Sequence, residues 1–224
     1  MRGAAVQRID NVLQLRARQF REDAGPLAHP VRPESFVEIN NFYTATVYEK
    51  GAEVIGMLKR LVGDQGYARA LDLYFDRHDG DAATIEDWLK VFEDACGRDL
   101  SQFKRWYSQA GTPRVSVKDD FKNEVYTLEF SQQTNETPNQ SEKLPQVIPV
   151  AIGLLDESGA EIEPTRVLEL TETHQTFQFH GLASRPVPSI LRGFSAPVIL
   201  DHSPSFNDRA LLLAHDTDPF NMWE

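Results

Sequence analysis

Apolar residues recur at helical steps through the first half of the chain and at alternate positions through most of the second. From Asn40 to Val62, NNFYTATVYEKGAEVIGMLKRLV sets Val47, Gly51, Val54, Ile55, Leu58, Leu61 and Val62 on one stripe, the mark of an amphipathic helix. Asn40 or Asn41 is expected to cap it, and Gly63 to end it in the left-handed conformation. Residues 4–23 predict an earlier helix with Val6, Ile9, Val12, Leu13, Ala17 and Phe20 inward, stopped by Gly25-Pro26. Pro30 and Pro33 keep the next stretch extended. Gly66–Arg77 reads as a helix with Tyr67, Ala70, Leu71, Tyr74 and Phe75 inward. Thr84 with Asp87 forms a capping-box variant before Trp88, Val91, Phe92 and Ala95, and Gly97 ends that helix. Asp99 with Gln102 repeats the start signal for a helix bearing Phe103, Trp106 and Tyr107. Gly111-Thr112-Pro113 closes the helical part.

From Arg114 the period becomes two. Val115 and Val117, Val125 to Phe130, and Thr176 to Phe179 alternate between apolar and polar. QVIPVAIGLL and VPSILRGFSAPVIL are apolar runs rich in β-branched residues. Ser131–Lys143 is polar and predicts a long exposed loop, and Asp156-Glu157-Ser158-Gly159 predicts a hairpin turn. Pro149 and Pro197 point to edges or bulges. Short strands between turn signals predict a sandwich, structural in role and folding as a unit. After Pro204 the pattern turns helical again at Arg209–Ala214, with an interruption at Asp216–Phe220. The architecture expected is α+β: a helical part over 1–112, a β-sandwich over 113–205, and a helical stub over 206–224.

Composition narrows the function. Of 224 residues, 23 are Lys or Arg and 34 are Asp or Glu, a formal charge of −11. That excess argues against nucleic acid and against an anionic membrane surface as partners. Hydrophobic content is 41%, ordinary for a globular protein, and no run approaches the ~20 apolar residues of a membrane span. The N-terminus lacks the long apolar core of a secretory signal, so cytoplasm is the expected location. The single cysteine, Cys96, can form no disulfide within the chain and no thiolate metal site.

Candidate chemistry centres on Tyr48, which falls beside the apolar stripe. Its ring can be buried while its hydroxyl reaches a cavity, either as a satisfied core hydroxyl or as a donor aimed at a substrate. Asn40 and Tyr43, three apart, share a face, and Tyr48 lies about 80° round at ~100° per residue, so all three can border one cavity. The six histidines form no H-E-x-x-H, the pattern that puts two ligands one helical turn apart with a glutamate to activate water. Ser195 in GFSAP lacks the nucleophile elbow. No Lys-Ser/Thr follows a glycine run, so no phosphate loop is predicted.

NNFYTATVYEKGAEVI, together with EDAGPLAHPVRP before it and YFDRHDGDAAT, FKRWYSQAGTPRV and LLLAHDTDPFNMWE after it, resembles the bacterial aminopeptidase N family. These are zinc aminopeptidases with a thermolysin-like catalytic domain. The resemblance covers nearly the whole chain. It implies the helical half of such a domain, a β-sandwich and the start of a C-terminal helical domain. It also implies that Tyr48 stabilises the tetrahedral intermediate and that Asn40 and Tyr43 line the pocket for the first side chain of a peptide substrate. In the family, the zinc ligands precede the region matched here. The expectation is therefore a fragment, with zinc belonging to the full-length enzyme, no zinc site in this chain and no peptidase activity alone. Tyr48 would then be more accessible than a core tyrosine. The alternative is a non-catalytic module of helices and sandwich that binds a protein partner.

Overall fold

The computed structural model describes residues 3–34 and 38–224, apart from the side chain of Asn40. The N-terminal segment runs through α1 (Ala4–Gln14), a widened π turn at Leu15–Gln19 and α2 (Phe20–Asp23). At the π turn the Phe20 amide donates to the Leu15 carbonyl five residues back, and this shifts the helical phase of α2 relative to α1. The buried face is Val12, Leu15, Gln19 and Asp23. Val6, Leu13 and Ala17, expected inside, are exposed.

The tyrosine-bearing segment is not one helix from Asn40. It comprises a 3-10 turn at Ile39–Phe42, a break, a π turn at Thr46–Lys50 and then α3 (Gly51–His78). Thr44 rather than Asn40 or Asn41 serves the start, its Oγ1 accepting from the Val47 amide at 3.2 Å. Gly63 interrupts α3 where the sequence put a helix end. Its φ of 73° and ψ of 166° are extended rather than left-handed helical, a region almost confined to glycine. Val54, Met57 and Leu58 are fully buried, whereas Ile55 and Phe75 face solvent.

In α4 (Ile85–Cys96) the Thr84–Asp87 capping box is complete, and Gly97 caps the end with φ 63° and ψ 36°. The helix expected after Asp99 shrinks to turns and one helical turn, α5 (Arg105–Ser108). Its apolar residues Phe103, Trp106 and Tyr107 are nonetheless buried.

The second half is a two-layer sandwich. The strands are β1 (Arg114–Lys122), β2 (Val125–Gln133), β3 (Ile148–Leu155), β4 (Glu161–Leu170), β5 (His174–His180), β6 (Val187–Ile190) and β7 (Ile199–Asp201). One sheet runs β5-β2-β1-β7 and the other β4-β3-β6. Alternation in β1 and β2 turns Val115, Val117, Tyr126, Leu128 and Phe130 inward. Every residue of β3 is buried; it is the middle strand of its sheet and also meets α3. Pro149 is tolerated there because β6 pairs with β3 only from Ile152 on, leaving β4 as the sole neighbour at the proline. Ser131–Gln133, expected in a loop, complete β2. The rest of that loop is fastened: Gln140 Nε2 donates to Ser108 O and Lys143 Nζ to Ala110 O.

Helices and sandwich share one core, running from Val12 and Leu58 through Trp106 to Phe130, Ile152 and Val198. Trp106 Nε1 donates to Val147 O across the junction at 2.7 Å. Arg8 holds both carboxylate oxygens of Glu53 and also donates to Gly193 O and Phe194 O. Among the described residues no helix is long and apolar enough to cross a membrane.

Two C-terminal helices close the structure. α6 (Phe206–His215) starts earlier than the apolar pattern indicated, at a second capping box of Ser205 and Asp208. α7 (Pro219–Trp223) is capped by Asp218, with Pro219 at its first position. Both are tied to the sandwich through Arg192, which donates to Ser189 Oγ (2.9 Å), Glu161 Oε1 (2.5 Å), Thr165 Oγ1 (2.7 Å) and Asp216 Oδ1 (3.0 Å). The guanidinium occupies the space where a Cβ on Gly153 would stand. Gly153→Ala is therefore expected to lower stability by about 1–3 kcal/mol through overpacking. Urea unfolding monitored by tryptophan fluorescence measures it, and an unchanged midpoint would show that Arg192 moves aside freely.

Candidate active site

The site is built on the π turn Thr46–Lys50. Two residues along a helix point to near-opposite faces at about 100° per residue. Thr46 and Lys50, one turn apart, are fully buried, and Tyr48 between them is 56% exposed. Phase against the apolar stripe allows the Tyr48 ring to be buried, whereas a tyrosine facing an open site is expected to be more accessible than a core one. The structure puts the ring outside, because Lys50 and Thr46 take the inward positions.

What holds the inward face is polar. Glu22 Oε2 accepts from both the amide and the hydroxyl of Thr46, each at 2.6 Å. The adjacent Asp23 accepts through Oδ2 from Lys50 Nζ at 2.8 Å and from Thr112 Oγ1 at 2.8 Å. Lys50 also donates to Gly111 O at 2.9 Å. The side chains of Lys50 and Asp23 are 0% and 1% exposed, so this is a fully buried ion pair. Burial pushes the Asp23 carboxyl up. The Lys50 charge and hydrogen bonds, among them those from Lys50 and Thr112, outweigh burial and hold it below the ordinary carboxylate value.

On the outward face the rings of Tyr43 and Tyr48 stack, with centroids 6.1 Å apart and planes inclined by 16°. The rings of Phe42 and Tyr43 meet nearly at right angles, with centroids 6.0 Å apart. Among the described residues neither tyrosine hydroxyl has a hydrogen-bond partner, so both can donate outward. The structure thus brings Tyr43 and Tyr48 together, while the side chain of Asn40 lies outside the described residues. The two phenols border solvent rather than a closed cavity. A cleft of about 700 Å³ lies elsewhere, between α2, β7 and the C-terminal helices, lined among others by Phe20, Leu200, Leu213 and Trp223.

Glu22, Asp23, Thr46, Lys50 and Thr112 escaped the sequence reading. A signal existed for one of them. Lys50 lies three residues after Val47 and four before Val54, on the apolar stripe itself, where a lysine must find a counter-ion or leave.

Among the described residues no group of three His, Cys, Asp or Glu is placed to hold a metal ion. The described side chains do not fit a zinc site.

Residues 4–107 match the model of the peptidase family M1 domain. Residues 111–203 match a domain of unknown function (DUF3458) of Ig-like fold. Fold and matches together define a peptidase segment in which M1 helices carry an Ig-like sandwich. The chain belongs to peptidase family M1. It is 52% identical to aminopeptidase N of Caulobacter vibrioides over 226 residues, covering 100% of this chain and 26% of the relative. It is 48% identical to aminopeptidase N of Escherichia coli (strain K12) over 229 residues, covering 98% and 26%. The crystal structure of Legionella pneumophila aminopeptidase A in complex with aspartic acid superposes with a TM-score of 0.79 at 30% identity, over 95% of this chain and 26% of that one. The chain thus spans about a quarter of the length of these relatives.

Proposed function

We propose that these residues supply the oxyanion-stabilising phenol, and part of the wall of the first side-chain pocket, of a zinc aminopeptidase that removes N-terminal residues from peptides in the cytoplasm. The reading rests on one observation above all. Tyr48 points outward with an unpartnered hydroxyl from a turn whose other face is fixed, within a chain about half identical to aminopeptidases N. When water adds to a peptide carbonyl, charge develops on its oxygen. A phenol donating from ~2.7–3.1 Å stabilises that charge most at the transition state. Tyr43, stacked on Tyr48, restricts the direction of that phenol and offers an apolar wall to a substrate side chain. Asn40 is assigned to the same wall.

Zinc belongs, in this proposal, to the segment of the family that carries H-E-x-x-H, and this chain turns over no peptide without it. We divide the chain at 1–112, 113–205 and 206–224, with the sandwich as a spacer between the catalytic helices and the C-terminal helical stub. Metal analysis and an aminoacyl-arylamide assay test the dependence. The chain alone is expected to hold no stoichiometric zinc and to show no turnover, and joining it to the zinc-bearing segment of an M1 peptidase is expected to restore both. Stoichiometric zinc with Tyr48-dependent turnover in the chain alone would overturn it.

A further inference from the structure

We infer that Asp23 and Lys50, with Glu22 on Thr46, are positioning residues for Tyr48, locking the phenol to the junction that leads into the sandwich. This rests on the role proposed for Tyr48. Consecutive carboxylates of α2 grip positions on either side of it, Glu22 at Thr46 and Asp23 at Lys50. The grip extends to the junction, because Lys50 donates to Gly111 O and Thr112 donates to the oxygen of Asp23 that Lys50 uses. One buried cluster therefore fixes three segments: α2, the tyrosine turn and residues 111–112.

As a stabilising device such a pair is poor, since a buried ion pair is often no better than apolar side chains of the same size. What it adds is direction. Apolar packing is non-directional, whereas charged hydrogen bonds to a carboxylate and a carbonyl fix both rotation and height of the turn. Tyr48 stands on the opposite side of that turn, where a small rotation moves its hydroxyl furthest. A misplacement of about 1 Å at a reacting geometry costs on the order of 10²-fold in rate.

The decisive variant is the apolar pair Asp23→Leu/Lys50→Met, which keeps the branching of one side chain and the length of the other to within an atom while removing direction. Two readings are taken at a temperature well below unfolding. In the chain itself, the fluorine resonance of 3-fluorotyrosine at position 48, assigned through Tyr48→Phe, is expected to shift or broaden in the apolar pair while that of the core residue Tyr126 stays in place. In the chain joined to a zinc-bearing M1 segment, kcat is expected to fall about 10²-fold with KM changed less than threefold. Adding Tyr48→Phe to the apolar pair should then bring kcat no lower than Tyr48→Phe alone does, far short of the product of the two separate losses. A well-folded apolar pair with an unmoved Tyr48 resonance, or with parental kcat, overturns the positioning role and leaves the cluster structural. If Tyr48→Phe alone leaves kcat unchanged, the function proposed for Tyr48 fails instead, and the two failures are thereby told apart.

Discussion

Asp23→Ala is expected to destabilise the chain by about 3–5 kcal/mol, because it strands the Lys50 ammonium in a fully buried site. Gly111 O remains as a hydrogen-bond acceptor, but a neutral carbonyl does not replace a counter-charge. The loss is large against the ~5–15 kcal/mol total of an ordinary domain. Replacing both partners, as Asp23→Leu/Lys50→Met, is expected to recover most of it. Urea unfolding measures the difference, and a loss below about 1 kcal/mol for Asp23→Ala would mean that Lys50 escapes to solvent at little cost.

The same pair sets an acid limit. The Asp23 carboxyl lies below its ordinary value in the folded chain, so the folded state binds fewer protons there than the unfolded state. Its contribution is whole above the unfolded value of about 3.9 and is lost as pH falls through the folded value. Stability of the parent is expected to fall more steeply below about pH 4 than that of the apolar pair.

The second large effect is catalytic. In the chain joined to a zinc-bearing M1 segment, Tyr48→Phe is expected to lower kcat by about 10²–10³, or 2.7–4 kcal/mol of barrier, as the loss of one oxyanion donor does. KM should hardly move, since the bond forms mainly in the transition state. Stability should be unchanged within about 0.5 kcal/mol, because the ring is half exposed and its hydroxyl has no partner to lose. A Tyr48→Phe enzyme with parental kcat would remove the phenol from the chemistry.

Much of this was legible in the chain. Periods of three to four and then two separate the helices from the sandwich, because each element must bury one side. Local signals that depend on neighbouring residues were read correctly: the Thr84–Asp87 capping box, the cap at Gly97 and the hairpin at Asp156–Gly159. The tyrosine segment was found through its wording, NNFYTATVYEKGAEVI, and the M1 match confirms the family that this wording pointed to.

Elsewhere tertiary contacts overrode local preference. The Asn40–Val62 stripe gave no warning that hydrogen bonds five residues apart would widen the helix at Thr46–Lys50. Glu22 and Asp23, more than twenty residues away, pair with Thr46 and Lys50 there, turning those two inward and Tyr48 outward. The sequence by itself determined where helices give way to strands and where the Thr84 and Gly97 caps and the Asp156–Gly159 turn fall, since periodicity, caps and turn residues act over a few positions. Only the tertiary structure decided which face of the tyrosine turn is buried. Partners for a buried charge are chosen by where separate segments meet, and no periodicity in one segment records the other.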